Sequence, residues 1–249
     1  MSTIKCARPE CDFEKHPNPK NNGGAHCCNS CRLTGSHGPA CKGSGEKSLN
    51  NTIVVSHFRS KRFEDLMLFF PQDNIIVYDK SNKYASDEFR NIIVLENRGR
   101  EGETYLNHII KNYNRLPFYT MFIQDDTENH ILSYPSFKDE SERVISGNIK
   151  FYQYQTSWRL GEAVQRKRII VDGVYPLHTF PSPNAIKDAC ARLSIVLPSK
   201  YSTEPGAFFI VHKDLILKRP VEFYEKLRLW LLENEKHGFV LEHMWPIIF

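Results

Sequence analysis

Residues 119–126 read YTMFIQDD, an apolar run that ends in a glutamine and two aspartates. Adjacent carboxylates repel, so a chain tolerates them either in solvent or around a cation. Asp125 and Asp126 offer the hard oxygen donors that magnesium and manganese prefer, and such ions keep positions open for phosphate oxygens. The plain alternative is an exposed strand-to-loop corner, where Asp is common. His130 and His243 are further candidate ligands, since imidazole completes sites that carboxylates begin. Each alone is equally a surface or structural histidine.

A second stretch, Asn97-Arg98-Gly99-Arg100-Glu101, carries chemistry of another kind. Gly99 frees the backbone to turn close to a ligand, and Arg98 or Arg100 can pair with phosphate through a planar fork. Glu101 then opens a helix; a plain turn before a helix explains the same residues. Asp79 closes another apolar run and is suited to hold a ribose or uracil by hydrogen bonds, or else to face solvent.

The first 41 residues hold six of the seven cysteines. From Cys28 the spacing is Cys-x2-Cys-x5-His-x3-Cys, close to the Cys-x2-Cys-x4-His-x4-Cys of a retroviral-type zinc knuckle. Cys28, Cys31, His37 and Cys41 would give a closed, tetrahedral structural zinc site. Six cysteines in a loop-rich segment also suit three disulfides. Cys190, in AIKDACARL, reads as a buried small hydrophobe on a helix.

These residues need elements to position them. The runs TIVVSHF, NIIVYDKS, NIIVLEN and FYTMFIQ are short, β-branched and continuously apolar, and helical segments separate them. Such strands belong to a mostly parallel sheet with helices on both faces. In EGETYLNHIIKNYNRL, Tyr105, Ile109 and Tyr113 form one apolar helix face with Leu106 and Ile110 beside them, and Pro117 stops it. AFFIVHKDLIL reads as a strand, and RPVEFYEKLRLWLLENEKHG as a helix with Pro220 near its start and Gly238 past its end. Open parallel sheets bind ligands beyond the strands' carboxyl ends. Here those ends carry Ser56-His57, Asp79-Lys80, Glu96-Asn97 and Gln124-Asp125-Asp126, all at one edge. The polar, breaker-rich KGSGEKSLNN divides the chain into a Cys/His-rich module and linker, residues 1–50, and an α/β domain, residues 51–249.

Composition removes other classes. Among 249 residues, 33 basic against 29 acidic side chains leave a net charge of +4, suited to an anionic small ligand and too weak to argue for DNA. The cysteine-rich stretch has no aromatic residue near its candidate ligands and only Arg32 and Lys42 as nearby cations, which argues against nucleic acid. No window reaches the apolar length of a membrane span, and the first 20 residues lack a secretory core, so a cytoplasmic location is expected.

The order of Asn, Gly-Arg-Glu, Tyr-Leu, Ile-Ile, Asn-Tyr, Leu-Pro and Phe-x-Gln across residues 95–130 resembles an uncharacterised domain family related to glycosyltransferases of the GT-A fold. GAFFIVHKDLILKRPVEFYEKLRLWL and FVLEHMWPIIF are similar to its closing segments, so the likeness spans roughly residues 52–249. The resemblance implies a GT-A-like, Rossmann-type sheet and transfer of a sugar from a nucleotide-sugar donor to a glycan or protein acceptor. It implies that Asp125 and Asp126 hold a divalent cation, Mn or Mg, with His243 as a third ligand. Asp79, Asn97, Arg98, Arg100 and Gln124 would contact the donor, and Glu204 or Glu242 would deprotonate the acceptor. Two departures stand out: Gln124-Asp125 where the family has Gln-Gly, and Glu242-His243-Met244-Trp245 where it has Glu-Arg-x-Trp. The rival reading is a non-catalytic, zinc-containing binding protein on a degenerate scaffold of this kind.

Overall fold

A computed structural model of the chain describes residues 51–58, 66, 68–70, 74–81, 91–125, 134–154, 168–175, 180–204 and 206–249. By its contacts the chain divides between residues 1–50 and 51–249, and every described residue belongs to the second unit. Cys28, Cys31, His37, Cys41, Asp126 and His130 lie outside the described residues.

The architecture is a mixed α/β fold around a mostly parallel sheet. Strands β1 (Asn51–His57), β2 (Ile75–Asp79), β3 (Ile92–Val94) and β4 (Tyr119–Gln124) are mutually parallel. β5 (Phe151–Gln153) and β8 (Phe209–His212) complete the sheet in the order β3-β2-β1-β4-β8-β5, with β8 antiparallel to both neighbours. β6 (Arg168–Val171) and β7 (Lys200–Thr203) pair as a separate antiparallel ribbon. The strand order reverses between β1 and β4, the position at which open α/β sheets leave a crevice.

Alternation along the strands makes two cores, because successive side chains point to opposite faces. Val54, Tyr78, Phe122 and Phe209 face one layer, built from α1 (Arg100–Asn112), α3 (Ala185–Leu193), α5 (Val221–Leu232) and α6 (His237–Ile248). Ile53, Val55, Val77, Met121 and Ile123 face the other, where α2 (Tyr134–Ser146) contributes Phe137 and Val144. Both faces of the central strands are dry, which is why they read as continuous apolar runs.

Helix α1 follows its sequence period: Tyr105, Leu106 and Ile109 are buried, while Ile110 and Tyr113 pack at the margin. A 3-10 turn, Tyr113–Arg115, ends it before Pro117. Cys190 is buried and unbridged on α3, and burial pushes its thiol up to about 11. It behaves as the small hydrophobe its context suggested.

Three expectations need correction. NIIVLEN yields only the three-residue β3, and Val94 is 59% exposed, because β3 is the edge of the sheet among the described residues. AFFIVHKDLIL is strand only to His212; there the imidazole accepts the Asp214 N–H and starts the one-turn helix α4 (Lys213–Ile216). Gly238 does not stop a helix. α5 already ends at Leu232, and Gly238 is the second residue of α6, where an added Cβ would come within 2.6 Å of the Arg100 side chain.

Two core histidines give the fold a pH limit. On α1, the His108 ring nitrogen Nδ1 accepts from the Tyr78 hydroxyl at 3.0 Å. On α6, the His243 Nδ1 faces the Phe239 carbonyl at 3.0 Å, with Tyr175 and Phe180 packed on the ring. Burial lowers both imidazoles from 6.5 to about 4. Between those values the unfolded chain binds protons that the folded chain refuses, so stability is present above pH 6.5 and falls as pH drops toward 4. Each ring accounts for about 3 kcal/mol over that window. We expect the urea midpoint to fall steadily from pH 6.5 to 4.5, with a shallower fall in His108→Gln; a flat wild-type midpoint would contradict this assignment.

Candidate active site

The carboxyl ends of β1, β2 and β4 lie side by side because their registers coincide: His57 pairs with Asp79, and Ser56 with Gln124. Three ionisable side chains from three strands therefore meet at the β1/β4 crevice. His57 Nδ1 is 3.0 Å from Asp125 Oδ2, and His57 Nε2 is 3.8 Å from Asp79 Oδ1. All three are buried. Asp125 Oδ2 also accepts the Phe58 N–H at 2.8 Å, and Asp79 Oδ1 accepts the Ser81 N–H and hydroxyl at 2.8 and 2.6 Å. Buried carboxylates persist only with such donors. Neither aspartate is the solvent-facing corner that its sequence position allowed.

Beside this cluster, Lys80 organises the turn before α1. Its ammonium, buried at the end of β2, donates to the backbone carbonyls of Arg98 and Arg100 and lies 3.6 Å from the Glu103 carboxylate. Desolvation lowers the Lys80 pKa, and the Glu103 and Glu101 charges oppose that shift. Glu103 Oε1 in turn accepts from Arg228 Nε and Nη2, at 3.0 and 2.7 Å, tying α1 to α5. The turn is unusual: Gly99 (φ 59°) and Arg100 (φ 53°) are both left-handed. For arginine that conformation costs about 1 kcal/mol or more, which the Lys80 contacts offset.

Asn97, Arg98 and Arg100 project along the outer side of this turn. They line an open groove of about 620 Å³ together with Leu231, Leu232 and the α5–α6 corner. Gln124, half-buried, ends β4 between the aspartate cluster and β8.

Glu204 and Glu242 are brought to one turn. The Gln153 side-chain amide brackets Glu204 through both its backbone groups, at 3.1 and 3.2 Å. The Glu242 carboxylate, on α6, accepts the N–H of Gly206. It thereby holds a segment in which Gly206 and Ala207 both have positive φ. Tyr105 anchors the same turn through a bond from its hydroxyl to the Ala207 carbonyl at 3.0 Å.

His243 sits in an aromatic pocket, as described, rather than among carboxylates. Among the described residues, no group of three or more His, Cys, Asp or Glu side chains has metal-holding geometry. The His57 link to Asp125 and the Lys80–Glu103–Arg228 chain went unassigned in the sequence. Ser56-His57 and Asp79-Lys80 stood out only as polar strand ends, and nothing in one sequence pairs Glu103 with Arg228.

A mostly parallel α/β sheet with a buried acidic cluster at its topological reversal defines the class. The chain belongs to a family of proteins of unknown function, DUF3431, whose model matches residues 53–249. No curated protein matches it. Among the described residues no helix is long and apolar enough to cross a membrane.

The Lys80 brace makes a direct prediction. Lys80→Met leaves two carbonyls without their donor and Glu103 held by Arg228 alone, so urea unfolding should show a loss of about 2–4 kcal/mol. A loss under about 1 kcal/mol would mean that the turn holds itself.

Proposed function

We propose that the protein is a metal-dependent glycosyltransferase that moves a sugar from a nucleotide-sugar donor to a glycan or protein acceptor. One observation carries the reading: a braced carboxylate, Asp125, stands where the strand order reverses between β1 and β4. The order 3-2-1-4 with an antiparallel β8 beside it supports the finer assignment to a GT-A-like, Rossmann-type sheet. The resemblance read from the sequence across residues 52–249 supports this fold better than it supports the chemistry.

In this reading Asp125 and Asp126 hold Mn or Mg. The donor set fits in kind, since Asp125 supplies carboxylate oxygen and its orientation is set by the Phe58 N–H. The ion would neutralise diphosphate charge on the leaving nucleotide. Asp79 stiffens the end of β2 through Ser81, and Gln124, Asn97 and Arg98 border the donor. Glu204 is the candidate base for the acceptor hydroxyl. Glu242 sets the turn that presents it. His243, packed between rings, fits a structural role better than a ligand role. Zinc on Cys28, Cys31, His37 and Cys41 completes the proposal for residues 1–50; metal analysis of protein purified without added metal should give at least one zinc per chain, lowered in Cys31→Ser.

The competing reading is a non-catalytic, zinc-containing binding protein on the same scaffold.

The test is synergy. Manganese and a nucleoside diphosphate should together raise the melting temperature more than the sum of their separate effects, because each completes the other's site and ligands of the native state stabilise it by mass action. Asp126→Asn should remove the synergy and leave the ligand-free melting temperature within about 1 °C, as expected for a change that moves stability by a few tenths of a kcal/mol. Equal synergy in wild type and variant would rule the metal site out.

A further inference from the structure

The groove of about 620 Å³ outside the 97–100 turn is built from parts far apart in sequence. One wall is Asn97, Arg98, Gly99 and Arg100; the other is the corner between α5 and α6, with Asn234, Glu235 and Lys236. Three cations, Arg98, Arg100 and Lys236, face the space against a single lining carboxylate, Glu235. Like charges gathered around an open space repel, and an anion among them relieves the repulsion.

Of the three cations, Arg100 is held in place. The Arg100 guanidinium lies 4.3 Å from the Phe239 ring centre, and its Nε is 3.5 Å from Glu101. Gly238 keeps open the path that its side chain takes, since a Cβ there would meet the Arg100 Cδ at 2.6 Å. The Arg98 side chain, 52% exposed, is 3.6 Å from an exposed Glu96 carboxylate, a contact that solvent screens. The backbone carbonyls of Arg98 and Arg100 are taken by Lys80 on the inner side of the turn.

Two helices also begin at the groove. Gly99 precedes α1 and Lys236 precedes α6, and neither start has a side-chain cap. The positive ends of their helix dipoles add to the potential of the three side chains.

We propose that this groove is a metal-independent binding site for a phosphoryl group of a small phosphorylated molecule, seated between Arg98 and Lys236. Guanidinium and ammonium on opposite walls can grip different oxygens of one phosphoryl group. The groove shares Arg98 and Arg100 with the donor edge described above and so rests in part on that reading. Asn234 and Lys236 belong to it alone.

The test uses the full chain in EDTA, titrated calorimetrically with pyrophosphate, with sulfate at matched ionic strength as the control. Saturable binding to one site is expected. Arg98→Gln and Lys236→Gln should each raise the dissociation constant about tenfold, with unchanged ligand-free melting temperatures because both side chains are exposed. Asp126→Asn should bind like wild type. Binding that is absent, no tighter than that of sulfate, or unaffected by either groove substitution overturns the site. Because no metal is present, failure here leaves the manganese–nucleotide synergy untouched. Loss of that synergy with pyrophosphate binding intact would remove the transferase reading and leave the groove.

Discussion

The buried ammonium of Lys80 is the constraint on which the carboxyl edge depends. A desolvated lysine costs several kcal/mol unless its donors are used, and here two backbone carbonyls accept from it while the Glu103 carboxylate lies 3.6 Å away. Through those acceptors one side chain joins the end of β2, the turn after β3 and the first turn of α1. Glu103 passes the link to Arg228 on α5. The left-handed pair Gly99–Arg100 is therefore not a loop that happens to be bent. It is held from inside, and the Arg100 side chain is turned outward to the groove.

The neighbouring cluster follows the same economy. His57 and Asp79 end β1 and β2, Asp125 directly follows β4, and the parallel registers bring them level. Asp125 is oriented by a backbone N–H, and an imidazole nitrogen packs 3.0 Å from the same oxygen. A carboxylate so fixed loses little entropy when a cation arrives, which is what a preorganised ligand site needs. Gly206 and Ala207, held by Glu242 and Tyr105, are the third fixed piece of the arrangement.

Much of this frame was legible in the sequence, and the reasons are specific. β1, β2 and β4 are buried on both faces, so their runs are apolar without alternation. α1 keeps one apolar face, so its period is clean. α6 was hidden because residues around most of its circumference are buried, Val240, Leu241, Met244 and Trp245 among them, leaving no polar stripe to mark a helix, and Pro246 reads as a breaker. Asp79 illustrates a different limit. A strand-ending aspartate looks the same in sequence whether it faces water or, as here, is fully buried beneath Ser81. The groove could not be read at all, since Arg98 and Lys236 meet only through the packing of α1 against α5 and α6.

The central claim is that a divalent cation sits beside Asp125 at the β1/β4 reversal when a nucleoside diphosphate is bound. Ring-labelled histidine NMR tests this most directly, because manganese broadens the signals nearest to it. The account predicts that sub-stoichiometric manganese with a nucleoside diphosphate erases the His57 ring signals first, while those of His212, paired opposite Tyr119 at the far end of β4, persist. Broadening that spares His57, or that begins at His212, would contradict it.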